Sequence, residues 1–113
     1  MHELSIAMSI VETCTEEARK AGGSTVSNVE LEIGKLSGVI PEALEFSWDV
    51  AIKDSLLENA SLKINEIAAR AKCLDCGHEF EMDDAFSPCP SCGGFGNEIL
   101  QGQELKIRAL TVE

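Results

Sequence analysis

The stretch Asn28-Val29-Glu30-Leu31-Glu32-Ile33 alternates strictly between polar and apolar residues. An alternation with a period of two is typical of a β-strand that buries one of its faces. Two later stretches, Ser61–Asn65 and Glu104–Arg108, are predicted as further strands. The sequence therefore predicts a sheet of three strands, with the last strand far from the other two along the chain.

Two predicted helices precede and follow the first of these strands. In residues 4–20 the apolar side chains recur at helical spacing, and Gly22-Gly23 provides the stop. Pro41 suits the first position of a second helix, which the apolar spacing extends to about Leu57. We therefore expect an α+β fold of two layers, in which two helices pack on one face of the three-stranded sheet.

Four of the five cysteines lie in the segment before the last strand. They form two CxxC pairs separated by twelve residues, Cys73 with Cys76 and Cys89 with Cys92. Two intervening residues allow one tight turn to direct both sulfurs at one ion, and four thiolates complete the tetrahedron of structural zinc. Two disulfides, or iron in the same cage, are the alternatives. The remaining cysteine, Cys14, falls on the apolar face of the first helix and is predicted to be buried.

These patterns divide the chain into two predicted domains. Residues 71–96 form an inserted zinc-ribbon domain, and residues 1–70 plus 97–113 form the α/β domain. The ribbon contains few apolar residues, so we expect its fold to depend on the metal.

The first three residues, Met1-His2-Glu3, offer a second set of metal ligands. A histidine at position two can offer a terminal amine, its own backbone amide and its imidazole to one ion. The amide of Glu3 could complete a planar set of four nitrogens, which selects Ni(II) or Cu(II). On these residues alone, the alternative is a solvated histidine that precedes a helix.

Composition excludes several classes of function. The 113 residues include 20 acidic and 9 basic side chains, for a net charge of −11, which repels phosphate backbones and anionic lipid. We therefore expect neither nucleic acid nor a membrane as partner. The chain has no secretory signal or apolar run of about 18 residues, so we expect a cytoplasmic protein. No nucleophile–base pair and no phosphate loop is visible, so we do not expect an enzyme.

Several motifs together carry a resemblance to a known family. They are the N-terminal Met1–Ser5, the segments Ile33–Val39 and Pro41–Phe46, both CxxC pairs, and Gly102–Ile107. With these motifs the sequence resembles, over essentially its whole length, the HypA/HybF family of nickel-insertion accessory proteins for nickel–iron hydrogenases. One departure is that relatives often carry glycines in the turn before the second strand, where this chain has Asp54 and Asn59. Asp54 suggests an altered turn geometry.

The resemblance implies a nickel metallochaperone. Met1, His2 and Glu3 match the nickel-binding positions of the family, and the four CxxC cysteines match its structural zinc ligands. The resemblance further implies transported Ni(II), a GTPase partner that hands over nickel, and the hydrogenase large subunit as recipient. In some organisms the family also serves urease and its accessory proteins. The alternative function is a zinc-ribbon adaptor between proteins that carries no exchangeable metal.

The predicted sheet also has an exposed edge. Such an edge permits a homodimer or strand exchange.

Overall fold

The computed structural model describes residues 3–84 and 86–113 of the chain. The described residues form two helices and six strands: α1 (Glu3–Lys20), β1 (Val26–Gly34), α2 (Pro41–Ala51), β2 (Ser61–Ile67), β3 (Ala69–Cys73), β4 (Glu79–Met82), β5 (Asn97–Gln101) and β6 (Leu105–Val112). The strands form two three-stranded sheets, ordered β2-β1-β6 and β4-β3-β5. The predicted α+β architecture of two helices on a three-stranded sheet is confirmed. Neither helix has both the length and the apolar character that crossing a bilayer demands.

The central strand of the first sheet is the alternating segment of the sequence. β1 pairs with β2 in parallel and with β6 in antiparallel orientation. Val29, Leu31 and Ile33 are fully buried in the core shared with both helices, as the alternation predicted. α2 provides the crossover that two parallel neighbouring strands require.

The opposite face of this sheet is polar and open. Glu30 and Glu32 project from β1 between the basic residues of β6 and the amide of Asn65 on β2. Lys106 Nζ lies 3.2 Å from Glu32 Oε1, and Arg108 Nη1 lies 3.3 Å from Glu30 Oε2. The charges of the central strand are therefore balanced across the sheet.

α2 is shorter than the apolar spacing predicted. The helix ends at Ala51, and residues 52–59 form turns. The Ser55 hydroxyl donates to the Ile52 carbonyl (2.7 Å) and accepts from the Leu57 N–H (3.0 Å), so it replaces the helical bonds of this segment. Asp54 has a φ of 60°, so the aspartate adopts here the left-handed conformation that glycine adopts most easily.

The second sheet extends beyond the cysteine module that the sequence predicted. The predicted module covers residues 71–96, whereas the sheet begins at Ala69 and includes β5 at residues 97–101. Its core consists of six buried residues and the half-buried Leu36, namely Ala69, Ala71, Cys73, Phe80, Met82, Cys89 and Leu36. The division of the chain into two domains stays a prediction.

The two sheets meet where the backbone of Gly34 passes over Gly102. The Gly34 N–H donates to the Glu104 carbonyl (2.8 Å), and the Leu36 N–H donates to the Gly102 carbonyl (2.6 Å). A Cβ atom on Gly34 would overlap the Gly102 carbonyl, and a Cβ on Gly102 would press on the backbone of Ala69. Leu36 then packs its side chain into the core of the second sheet. We call this contact of Gly34, Leu36 and Gly102 the sheet junction.

The sheet junction should tolerate no side chain at Gly34. We expect Gly34→Ala to lower the free energy of unfolding by about 2 kcal/mol or more, because backbone on both sides must move. Gly96→Ala is the matched control, since its Cβ would lie 3.7 Å from Leu74 Cδ1, an ordinary contact. Urea unfolding of both variants tests the prediction, and equal stabilities would contradict it.

The buried face of α1 includes Cys14, as the sequence predicted. Its side chain is 0% exposed. Burial, with a smaller contribution from Glu17, raises the pKa of the Cys14 thiol from 9.0 to about 11. The thiol is therefore protonated in the folded protein at a pH where the unfolded chain ionises.

Cys14 should make the protein less stable at alkaline pH. Between about pH 9 and 11 the unfolded chain releases this proton and the folded chain retains it, so stability falls as pH rises, by up to about 2 kcal/mol. Urea unfolding of the wild type and Cys14→Ala at pH 8 and pH 10.5 measures the effect. The stability advantage of the wild type should shrink at the higher pH, and a constant advantage would argue against a raised pKa.

Candidate metal centres

The four CxxC cysteines converge on one point. All four sulfur atoms lie within 4.8 Å of one another. Cys73 Sγ is 3.5 Å from Cys92 Sγ, and Cys76 Sγ is 3.7 Å from Cys89 Sγ. Four Zn–S bonds of about 2.3 Å in a tetrahedron require sulfur separations of about 3.8 Å. These separations fit a metal and far exceed the disulfide length of about 2.05 Å.

Two matching backbone turns hold the cysteine pairs. In the first turn the Gly77 N–H donates to the Cys73 carbonyl (2.9 Å), and the Cys73 N–H donates to the His78 carbonyl (2.8 Å). In the second turn the Gly93 N–H donates to the Cys89 carbonyl (2.8 Å), and the Cys89 N–H donates to the Gly94 carbonyl (2.8 Å). The glycine that follows each pair has a positive φ, 77° and 76°. Glycine relieves the strain of this conformation, which lets each turn curl around the sulfurs.

Each pair contributes one buried and one exposed cysteine. Cys73 and Cys89 are each 2% exposed and belong to the core of the second sheet, whereas Cys76 and Cys92 lie at the surface. The buried pair therefore anchors the centre to β3 and to the loop before β5. The exposed pair closes the centre on its outer side.

The backbone and the neighbouring sulfurs set unequal proton affinities in this cluster. The Cys76 N–H favours the Cys73 thiolate and, against the opposing effect of desolvation, lowers the pKa of Cys73 to about 7. For Cys92 the Gly94 N–H again favours the thiolate, but the Cys73 and Cys76 sulfurs outweigh it and raise the pKa to about 12. The Cys73 thiolate therefore forms most readily in this cluster, and a bound metal must displace the protons of the other thiols.

A glycine beside the cluster has a role that sequence reasoning missed. A Cβ on Gly94 would come within 2.6 Å of Asp75 Oδ2 and 3.4 Å of Cys92 Sγ. The Asp75 carboxylate thus lies over the second turn and next to an exposed ligand. The doubled glycine at positions 93 and 94 was the only sign of this approach in the sequence.

The predicted nickel residues are only partly covered by the structure. Met1 and His2 lie outside the described residues, and Glu3 is the half-buried first residue of α1. The acidic side chain of Glu3 lies at the positive end of the helix dipole, which also explains its place there. The metal-binding role of these three residues stays a prediction.

Known proteins match this chain over essentially its whole length. Residues 1–112 match the family described as "Hydrogenase/urease nickel incorporation, metallochaperone, hypA". The hydrogenase maturation factor HypA of Geotalea uraniireducens is 47% identical over 113 residues, which are 100% of both chains. The same factor of Parabacteroides distasonis is 48% identical over 113 residues, covering 100% of this chain and 98% of the relative.

Solved structures agree with the sequence comparison. The solution structure of the Ni metallochaperone HypA from Helicobacter pylori is similar with a TM-score of 0.70 and 26% identity, over 99% of this chain and 97% of that one. A second solution structure of a HypA protein gives a TM-score of 0.72 at 26% identity, over 100% and 97%. The resemblance read from the sequence is confirmed, and the chain belongs to the HypA family of nickel metallochaperones for hydrogenase maturation.

Proposed function

We propose that this chain is a cytoplasmic nickel metallochaperone without enzymatic activity. It binds Ni(II) through Met1, His2 and Glu3 and delivers the ion, with a GTPase partner, to the large subunit of a nickel–iron hydrogenase. The observation that carries this proposal is the family match over residues 1–112, which spans the N-terminal ligands as well as both cysteine pairs. The family description also names urease, so urease accessory proteins are a second class of partner.

The chemistry of the cysteine cluster supports a division between two metals. Four sulfurs within 4.8 Å of one another are enough to fill every position of a tetrahedral zinc ion, which leaves none open for transfer. We therefore assign structural Zn(II) to Cys73, Cys76, Cys89 and Cys92. Zinc bound there stabilises the small core of the second sheet.

The N-terminal ligands suit a metal that must leave. An amine and an imidazole both bind protons near neutral pH, so protonation competes with the metal at each ligand. A site at the start of a helix also allows ligands to be removed one at a time by an acceptor. We therefore assign the exchange of nickel to residues 1–3 and the retention of zinc to the four thiolates.

Nickel binding should depend on His2. We expect the wild type dialysed against Ni(II) to hold one nickel and one zinc, and His2→Ala to hold zinc alone, because the imidazole ligand is lost. Metal counting by mass spectrometry on the untagged protein measures both ions. His78→Ala is the matched control, since it removes the other histidine of the chain and should keep both metals.

Two outcomes would contradict this assignment. Zinc without nickel in the wild type would favour the zinc-ribbon adaptor. Unchanged nickel affinity after residues are added before Met1 would exclude the amine as a ligand.

Zinc should control the order of the second sheet. We expect chelation of zinc, or Cys92→Ser, to raise amide hydrogen exchange in β3, β4 and β5 at least tenfold and to leave β1 largely protected. Cys14→Ala serves as the control cysteine and should retain one zinc. Protection that survives loss of the metal, or iron found in place of zinc, would overturn the assignment.

A further inference from the structure

An apolar groove separates the N-terminal half of α1 from the start of β6. It encloses about 440 Å³. Ile6 and Ile10 of α1 and Leu105 and Ile107 of β6 supply its apolar lining, with Ser5 and Ser9 on the helical side. The three isoleucines are only partly buried, and Leu105 is exposed. The groove is therefore apolar surface that α1 and β6 leave uncovered.

The groove runs beside a free sheet edge. β6 is the last strand in the order β2-β1-β6, so within the described residues one of its edges pairs with β1 and the other carries no strand. Alternate residues of this eight-residue strand direct their backbone N–H and C=O groups to the free edge, where an extended segment could pair with them. Apolar side chains of such a segment would enter the groove under the flank of α1.

The charge around this edge differs from that of the whole chain. The protein carries 20 acidic and 9 basic residues, yet among the described residues the groove lining contains no acidic side chain and one basic one, Lys106. Lys106 and Arg108 pair with glutamates of β1, and their side chains remain 62% and 58% exposed. Both cations can therefore receive a second carboxylate from the open edge.

We propose that the groove and the β6 edge bind an extended segment of alternating apolar and acidic residues, which adds to the sheet as a fourth strand. The proposal rests on the proposed function, because the segment belongs to the protein that exchanges nickel with this chain. Ile6 lies three residues after Glu3, about 4.5 Å along the helix axis, so a partner bound here stands next to the nickel ligands.

The first sheet already contains the pattern that β6 selects. β1 pairs antiparallel with β6, and its glutamates oppose the cations while Val29, Leu31 and Ile33 face the core. A second copy of β6 would instead bring Lys106 and Arg108 against like charges, which is destabilising. A basic segment meets the same repulsion. The charges therefore favour an acidic strand over a second copy of the chain.

A blocked peptide with the sequence of residues 26–34 is the probe for this surface. We expect it to shift the backbone amide signals of Ser5–Thr13 and Leu105–Val112 in ¹⁵N spectra of the full zinc-bound protein. Ser9→Glu places an acid in the groove and should weaken binding of the peptide at least tenfold. Met8→Glu adds the same charge to the neighbouring exposed position, outside the groove lining, and should change the affinity less than twofold.

Four results would overturn the proposal. The first is the absence of amide shifts at these residues, and the second is an equal loss of peptide affinity in both variants. The third is equal binding of a peptide whose glutamates are replaced by lysine. The fourth is a homodimer of the wild type that Ser9→Glu dissociates. Nickel content separates this proposal from the proposed function. Ser9→Glu should keep its nickel while it loses the peptide, which would support the docking surface independently of nickel. A wild type that binds no nickel would contradict the proposed function instead.

Discussion

The arrangement of the molecule depends on the close approach of two glycines, Gly34 and Gly102. At this sheet junction the chain leaves β1 and passes over the connection between β5 and β6 with no room for a Cβ atom. Leu36, two residues later, enters the core of the second sheet. Because backbone hydrogen bonds and the half-buried Leu36 side chain act together here, the second sheet is attached to the first sheet by more than its two covalent connections.

The two proposed metal sites place different demands on a metal. At the cysteine cluster, matched turns and two buried cysteines fix four soft ligands, an arrangement that favours retention. The proposed nickel ligands are the first three residues of the chain, and the nitrogen and carboxylate donors that they offer suit an ion that must leave. The groove between α1 and β6 lies beside the start of α1, so the proposed docking surface and the proposed nickel ligands are neighbours.

The periodicity of apolar residues predicted the first sheet, and the spacing of the cysteines predicted the cysteine cluster. The alternation of β1 is explicit because one face is apolar and the other charged, and two CxxC pairs leave few alternatives. The end of α2 was missed because a local bond of Ser55 competes with the helix where the apolar spacing continues. β4 has four residues and β5 has five, and strands this short give little periodicity, so only tertiary pairing identifies them. The sheet junction joins residues distant in sequence, which no local pattern reveals.

The pairing of β1 with β6 also has a consequence for the order of folding. Val26 pairs with Val112, so the pairing of β1 with β6 closes a loop that contains most of the chain, and contacts this distant in sequence form slowly. β3, β4 and β5 pair within residues 69–101, and their shorter loops close at a lower entropic cost. The second sheet, with its cysteine cluster, can therefore close before β1 and β6 complete the first sheet.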